Sequence, residues 1–273
     1  MGYAASEKYA QDLNLLENLN KIYITGDCSY WTAFKPVSVY DNIIDEKYLS
    51  FNVYKNGYEV GLKDTSYAAM LKGKITLPTT HSNRSILKIT ESGFRDCKNV
   101  TMFFFEKENN LIEELGQHCF YGASSLIYFD MPENVKIIST YSFYNCGKLF
   151  NDYMSNEDII KFFKNIEGIE NRAFVSNNGR GKTFYFPGKL KYIGEYGFRF
   201  CEMDTVEFGS TGDPSQFDPS LQNIVYGIFA GAPYLSKVTV YAADTSLPKW
   251  DEMKNQIGNI VVETPEGWEV LNG

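Results

Sequence analysis

Large apolar side chains recur along the middle of the chain at a fixed spacing. An aliphatic residue is followed five positions later by an aromatic residue, and three positions after that by a small residue or Asn. Six sets share these offsets, and their aromatic members are Phe94, Phe120, Phe143, Phe174, Phe198 and Phe229. A more divergent copy, with Tyr in place of Phe, runs from Leu62 to Tyr67. Self-similarity at a near-constant period predicts a repeat architecture.

Each repeat also contains a short run in which polar and apolar residues alternate. Examples are VTMFFFE at 100–106, LIYFDMP at 126–132 and TFYFP at 183–187. Alternation rich in β-branched and aromatic residues predicts a strand with one buried face. Counted from Tyr67 through the six Phe residues, successive aromatic residues lie 27, 26, 23, 31, 24 and 31 positions apart, so the longer units carry insertions. Because so short a strand cannot bury its apolar face alone, the units are expected to stack into one continuous core.

The complete unit is predicted to hold a strand, a turn, a second extended piece and a tight helical turn that carries the Phe. The second extended piece is typified by VKIIS at 135–139 and LKYIG at 190–194. Parallel strands joined by crossovers prefer a right-handed path, so the stack is expected to be a right-handed solenoid.

Three segments carry a resemblance to a known family. They are IGEYGFRFC at 193–201, LGQHCFYGASSLIYFDMP at 115–132 and ISTYSFYNCGKL at 138–149. These segments resemble the BspA-like leucine-rich repeats, which are common in bacterial surface proteins, and the resemblance extends over residues 58–241. It implies a leucine-rich-repeat-type right-handed solenoid of about seven repeats, with parallel strands on one side, short helical turns on the other, and capping ends.

The two ends of the chain are predicted to cap the solenoid, because exposed terminal cores need covering. Residues 1–57 form the N-terminal cap in this interpretation, with a helix at 6–20 and a strand at 21–26. Residues 242–273 form the C-terminal cap, with a short helix and a closing strand that buries Trp250.

Two insertions interrupt the repeat pattern. After Cys146 the expected strand is missing, and residues 151–165 take its place. Ser155 with Asp158 three positions later predicts a capping box at the start of a short amphipathic helix, whose Phe162 and Phe163 are expected to pack on the solenoid. The second insertion, at 209–223, is rich in Gly, Ser, Pro and Asp and predicts a surface loop.

Composition narrows the classes of function. With 273 residues and 44% hydrophobic content, the chain can bury a large core. A net charge of −8 without a cluster of basic residues argues against a nucleic-acid partner. No stretch approaches the roughly 20 apolar residues of a membrane-spanning helix, so we expect a protein that is not transmembrane, whose lipid or wall anchor would lie outside this sequence.

The Cys and His residues that could take part in catalysis are better explained by structural roles in the repeats. The five cysteines form no C-x-x-C pair, and Cys97, Cys146 and Cys201 occupy the small-residue position of alternate repeats. We predict that these three are free thiols, since units two apart cannot be bridged. The adjacent His118 and Cys119 could form a dyad, but Cys119 stands where other repeats have Ala or Gly.

Metal and acid–base chemistry finds no supporting pattern either. His81 lies in a polar loop, and Asp213 with Asp218 lacks the spacing of known calcium loops. We therefore expect no enzymatic activity, no cofactor and no metal.

The outer side of the predicted sheet is the remaining candidate site. Alternation places inward a row that includes Phe103, Phe129 and Phe184, and it leaves the intervening residues outside. The ligand-binding candidates on this outer side are Met102, Phe104, Tyr128, Asp130, Tyr185, Glu207 and Thr239. Exposed aromatic residues beside polar groups suit recognition, although strand propensity alone also favours Tyr, Phe and Thr.

The family resemblance implies a function of recognition. The expected protein is a non-enzymatic, cell-surface or secreted interaction module of a bacterium, extracellular in location. Its expected role is adhesion to a protein or glycan on host or microbial surfaces. An alternative is a carbohydrate-binding accessory protein that uses Phe104, Tyr128 and Tyr185 as stacking platforms.

Overall fold

The computed structural model describes residues 43–108, 110–209, 223–224, 227–241, 259–264 and 267–272. The predicted N-terminal helix and strand, nearly all of the 209–223 loop, and the segment around Trp250 lie outside these residues.

Short strands and turns dominate the described part of the chain. One α-helix, α1, spans Asn156–Phe163, and 3-10 helices span Glu46–Tyr48 and Thr65–Ala69. The strands are β1 (Leu49–Tyr54), β2 (Gly57–Leu62), β3 (Gly73–Leu77), β4 (Thr80–His81), β5 (Arg84–Ile89), β6 (Val100–Phe105), β7 (Glu114–Leu115), β8 (Tyr128–Phe129), β9 (Ile137–Ile138), β10 (Gly168–Ile169), β11 (Thr183–Phe186), β12 (Tyr192–Ile193), β13 (Thr205–Phe208), β14 (Asn223–Ile224), β15 (Lys237–Tyr241), β16 (Asn259–Thr264) and β17 (Gly267–Asn272).

Successive turns contribute strands to two sides of the solenoid. The first side, called the sheet face below, is formed by β3-β6-β8 and by β11-β13-β15-β16-β17. The second side, called the flank, is formed by β1-β2-β5-β7 and by β9-β10-β12-β14. Pairing is parallel except in the β1–β2, β4–β5 and β16–β17 pairs. The predicted leucine-rich-repeat-type solenoid is thereby confirmed, with six Phe-bearing turns in the described residues.

A column of Phe rings runs through the core. Neighbouring rings of the repeat position stack nearly parallel, with centroids 5.5 Å apart for Phe120 and Phe143 and 5.4 Å apart for Phe143 and Phe174. Rings from the sheet strands meet this column edge-on, as Phe129 does against Phe143 at 5.0 Å. Both arrangements suit the aromatic quadrupole. The spacing of five and three residues in the sequence therefore encodes one shared aromatic spine.

The turns that carry these Phe residues are not helical, in contrast to the prediction. The residues two before and two after each Phe have left-handed backbone, as at Tyr141 and Asn145 around Phe143. This conformation interrupts a helix and turns alternate N–H groups toward the next turn. For example, the N–H of Phe143 donates to the carbonyl of Ala173 at 2.9 Å. We call the solvent side of these turns the turn face.

The small-residue position after each Phe also carries a hydrogen-bond donor in three turns. The thiol of Cys146 donates to the carbonyl of Phe120 at 3.2 Å, and the thiol of Cys201 donates to that of Phe174 at 2.7 Å. Asn177 takes the same role through Nδ2, which lies 3.0 Å from the carbonyl of Phe143. Thus this position links each turn to the preceding one, beyond the role of a small apolar filler.

The prediction of free thiols is confirmed for Cys97, Cys146 and Cys201, and Cys119 is free as well. Burial raises the pKa of Cys97 and of Cys201 to about 12 from an ordinary value of 9.0. Since a raised thiol pKa favours the neutral form in the folded state, the associated stability is present below pH 9 and is lost as the pH rises toward 12.

We expect these four thiols to resist alkylation by iodoacetamide at pH 8 in the native protein, because the thiolate is the reactive species. Mass spectrometry of the alkylated peptides, with a guanidinium-unfolded sample as the control, measures the labelling at each site. Native labelling at Cys146 or Cys201 as fast as in the unfolded control would contradict this assignment.

The predicted helix is confirmed as α1. Its capping box is present, because Ser155 Oγ accepts from the N–H of Asp158 at 3.1 Å and the Asp158 carboxylate accepts from the Ser155 N–H at 2.8 Å. Phe162 and Phe163 are buried, as predicted, and the ring centroids of Phe163 and Phe186 are 4.9 Å apart. The helix fills the place of the missing strand, so it divides the sheet face into two parts.

Candidate functional site

The predicted ligand-binding residues fall on both parts of the sheet face. Strands β6 and β8 bring Met102, Phe104 and Tyr128 to one part, with Asp130 directly after β8. The register of β11, β13 and β15 places the other three side by side on the second part, and they are Tyr185, Glu207 and Thr239.

Two of the seven candidates are not available to a ligand. Met102 is 4% exposed and Thr239 is 3% exposed, so the prediction that they face solvent is wrong. Met102 lies between Lys74 and Tyr128 in the strand register, so it is flanked by a paired strand on both sides. Thr239 is a short side chain on a strand that is paired on both sides.

Three rings form a cluster on the first part of the sheet face. Phe104 and Tyr128 stack with centroids 5.3 Å apart, and Tyr153 approaches Tyr128 edge-on at 6.1 Å. Lys74 Nζ lies 5.1 Å from the centre of the Phe104 ring, within the range of a cation–π contact. Phe104, Tyr128 and Tyr153 are called the aromatic cluster below.

Tyr153 was missed by the sequence analysis, although it is the most exposed ring of the cluster at 50%. It lies in the insertion that replaces a sheet strand, where alternation gives no orientation. The insertion itself was the available signal, since a segment that replaces the strand after β8 must contact the outer residues of β8.

Burial and nearby acidic groups set the chemistry of the cluster. Burial, followed by the charges of Asp130 and Asp158, raises the pKa of Tyr128 to about 12. Its hydroxyl is therefore protonated at neutral pH and serves as a hydrogen-bond donor. Asp130 lies 3.4 Å from Lys161 Nζ on α1, so both signs of charge border the rings.

The second part of the sheet face is less aromatic. Tyr185 and Glu207 are half-buried neighbours in register, and the hydroxyl oxygens of Thr183 and Thr205 lie 2.6 Å apart. Among the described residues, no ring contact joins Tyr185 to the aromatic cluster. The structure therefore brings together Phe104 and Tyr128 but does not add Tyr185 to their platform.

The residues considered for catalysis are held in structural contacts. The His118 ring stacks on Tyr141 at 4.9 Å, whereas Cys119 is buried in the core and burial raises its thiol pKa well above the ordinary value. His81 stacks on Phe51 at 3.8 Å, and its Nδ1 lies 3.1 Å from a Glu46 carboxylate oxygen. This arrangement offers no activated nucleophile at His118 and Cys119.

Within the part of the chain that the structure describes, no group of three or more His, Cys, Asp or Glu residues could hold a metal ion. Asp213 and Asp218 lie outside that part. In the same residues, no helix has the length and apolar character needed to cross a membrane.

The fold is similar to solved structures of bacterial leucine-rich repeat proteins. A leucine-rich repeat protein of T. pallidum matches with a TM-score of 0.55 at 16% identity, over 73% of this chain and 85% of that one. One from Bacteroides ovatus matches with a TM-score of 0.53 at 21% identity, over 74% of this chain. This chain spans 50% of the length of the latter protein. No curated protein matches the sequence.

The repeats themselves identify the family. Six copies of the BspA type leucine-rich repeat region match over residues 66–203 and 148–249, which together cover more than half of the chain. The matched segments include all six Phe-bearing turns. The chain therefore belongs to the BspA-type leucine-rich repeat family.

Proposed function

We propose that this protein is a non-enzymatic adhesion module at the surface of a bacterium or secreted from it, and that it recognises its partner through the aromatic cluster. The observation that carries the proposal is the convergence of Phe104, Tyr128 and Tyr153 on one exposed surface. Membership of a family of repeat interaction modules supports the role, and the resemblance to bacterial surface proteins supports the location.

A protein partner fits the cluster best. Rings supply a large contact area at little conformational cost, and a mixed-charge border is typical of the rim of a protein interface. Here the border carries Lys74 beside Phe104 and the pair of Asp130 and Lys161. These exposed charges should affect the association rate and its dependence on salt.

A glycan is the second candidate, and one observation favours it. Tyr153 meets Tyr128 with its ring plane at 78° to that of Tyr128, and half of the surface of Tyr153 is exposed. An exposed aromatic ring beside the hydroxyl donor of Tyr128 is suited to a sugar ring.

The proposal is tested by substituting Phe104→Ala and Tyr153→Ala together. We expect binding to a panel of host matrix proteins and polysaccharides to weaken by about tenfold or more, because aromatic anchors at an interface are typically worth at least 2 kcal/mol. Surface plasmon resonance measures the affinity, and circular dichroism checks that the variant is folded.

Tyr185→Ala is the matched control, since it removes the same type of ring from the other part of the sheet face. Its affinity should equal that of the unmodified protein. An association rate that falls with salt indicates a protein partner, whereas salt-independent glycan binding supports the second candidate. Equal affinities for the double variant and the control would contradict recognition by the cluster.

A further inference from the structure

The arginines of this protein are concentrated on the turn face. The sequence contains five arginines among 26 basic residues, and three of the five, Arg95, Arg172 and Arg199, belong to the Phe-bearing turns. Each of the three lies over an aromatic ring, at 4.4 Å for Arg95 over Tyr121, 5.0 Å for Arg172 over Tyr196 and 4.8 Å for Arg199 over Tyr196. Lysine is the usual cation elsewhere in the chain, so the turn face is chemically distinct.

Several residues of the Phe-bearing turns occupy backbone conformations that are unfavourable for large side chains. His118, Tyr141, Arg172 and Tyr196 have φ of 56°, 57°, 55° and 56°, in the left-handed region where Gly or Asn is favoured. The equivalent position carries Gly227 in the last described turn. Four consecutive turns thus hold bulky side chains where smaller ones cost less, and such outliers often mark function.

The bulky side chains stack on each other across the turns. Tyr121 and Tyr144 stack with centroids 4.8 Å apart and planes at 2°, and His118 stacks on Tyr141 at 4.9 Å. Because the rings cover each other's faces, they present edges rather than faces to solvent. A ligand on this surface therefore meets ring edges spaced about 5 Å apart in adjacent turns, together with the guanidinium groups that lie over neighbouring rings.

The guanidinium groups are only weakly neutralised. Arg95 has one contact of 3.5 Å to Asp96, and Arg172 has one contact of 3.8 Å to Glu195, so neither is held in a two-point pair. Arg199 lies 4.4 Å from the Phe200 ring, and no carboxylate of the described residues lies within 4 Å of it. Its buried Nε has no hydrogen-bond partner.

From this arrangement we propose that the turn face is a second binding surface, which takes an acidic polysaccharide through Arg172 and Arg199 and the tyrosines stacked beside them. Planar guanidinium groups bind carboxylate and similar anions in a two-point geometry. Arg172 and Arg199 lie in adjacent turns, where both contact Tyr196, and two such donors suit a polymer that carries repeated anionic groups. This surface lies on a different side of the solenoid from the aromatic cluster, so it goes beyond the adhesion role proposed above.

A polysaccharide fits this surface better than an acidic protein segment does. Protein interfaces draw their energy from the burial of aromatic faces at their centre, whereas here those faces are already used in stacking. With a net charge of −8 the chain as a whole repels polyanions, so binding requires a local site. The anionic group can be the carboxylate of a uronic acid or a sulfate, and the test separates the two.

The test compares binding of polygalacturonate, heparin, neutral dextran and poly-glutamate to the folded 273-residue chain by microscale thermophoresis. We expect polygalacturonate or heparin to bind, dextran not to bind, and poly-glutamate to bind at least about tenfold more weakly. The double variant Arg172→Gln with Arg199→Gln should lose about tenfold or more in affinity, because hydrogen bonds to charged groups are strong. Heparin binding alone identifies sulfate as the recognised group, and polygalacturonate binding alone identifies carboxylate.

Two further variants serve as controls for this test. Arg84→Gln removes an arginine that lies outside the Phe-bearing turns and should leave affinity unchanged. Arg172→Lys with Arg199→Lys keeps the charge but loses the planar fork, so it should still bind several-fold more weakly, and it decides the case if the Gln variant fails to fold. Full affinity in the Lys variant, equal binding of poly-glutamate, or no polysaccharide binding by the folded protein would each overturn the proposal.

Discussion

Replacement of Phe143 by Ala should lower the free energy of unfolding by about 3–5 kcal/mol. This ring is fully buried and stacks on Phe120 at 5.5 Å and on Phe174 at 5.4 Å. Its removal leaves a cavity that two neighbouring turns line, and their main chains cannot close it because they are joined by hydrogen bonds. The N–H of Phe143 itself donates to Ala173.

Urea unfolding followed by circular dichroism measures this loss. Tyr153→Ala is a suitable control, since it also removes a ring but one that is half exposed, and surface substitutions usually change stability by about 0.5 kcal/mol or less. Similar losses in the two variants would show that the Phe column does not determine the stability of the solenoid.

Replacement of Gly116 by Ala should destabilise the protein by about 1–3 kcal/mol, the usual cost of overpacking. A Cβ at this position would lie 2.5 Å from the Glu91 nitrogen and 2.6 Å from the Thr90 carbonyl carbon, both in the preceding turn. These are main-chain atoms that cannot move aside as a flexible side chain would. The Gly116 N–H also donates to the Ile89 carbonyl at 2.9 Å, which fixes the approach.

Gly147→Ala provides the matched control in the same assay. The nearest atom to its added Cβ is the Ser176 carbonyl oxygen at 3.7 Å, which is an ordinary contact. We expect this variant to be as stable as the unmodified protein or slightly more so, because alanine restricts the unfolded chain. If Gly116→Ala behaved like Gly147→Ala, the close approach of the two turns would not constrain that position.

Features that repeat were predictable from the sequence. The shared offsets around Phe143 and its equivalents predicted the column of buried Phe rings, since one buried position per turn must recur if the turns stack. The capping box of Ser155 and Asp158 is a local signal and gave the start of α1. Free thiols followed from the same periodicity, because it places equivalent residues of alternate turns two layers apart.

Features that depend on neighbours in adjacent turns were not predictable. Met102 is buried on a strand whose partners on both sides, Lys74 and Tyr128, belong to other repeats. Left-handed backbone at Tyr141 contradicts the local preference of a tyrosine and is stabilised by ring stacking with His118. The position of Tyr153 depends on an insertion that follows no repeat rule.

The hydrogen bonds between turns also determine where the chain tolerates a change in length. Where a turn keeps its sheet strand, the stretch from the spine to that strand hardly varies: Phe94 to Phe103 and Phe120 to Phe129 each span nine positions. In contrast, the stretch from a sheet strand to the next flank strand runs from Phe208 to Asn223 in one turn and holds the 209–223 insertion. During evolution, new segments can therefore accumulate on one edge of a turn while the shared main-chain contacts stay fixed, whereas a segment inserted before the sheet strand, as at 151–165, takes the place of that strand.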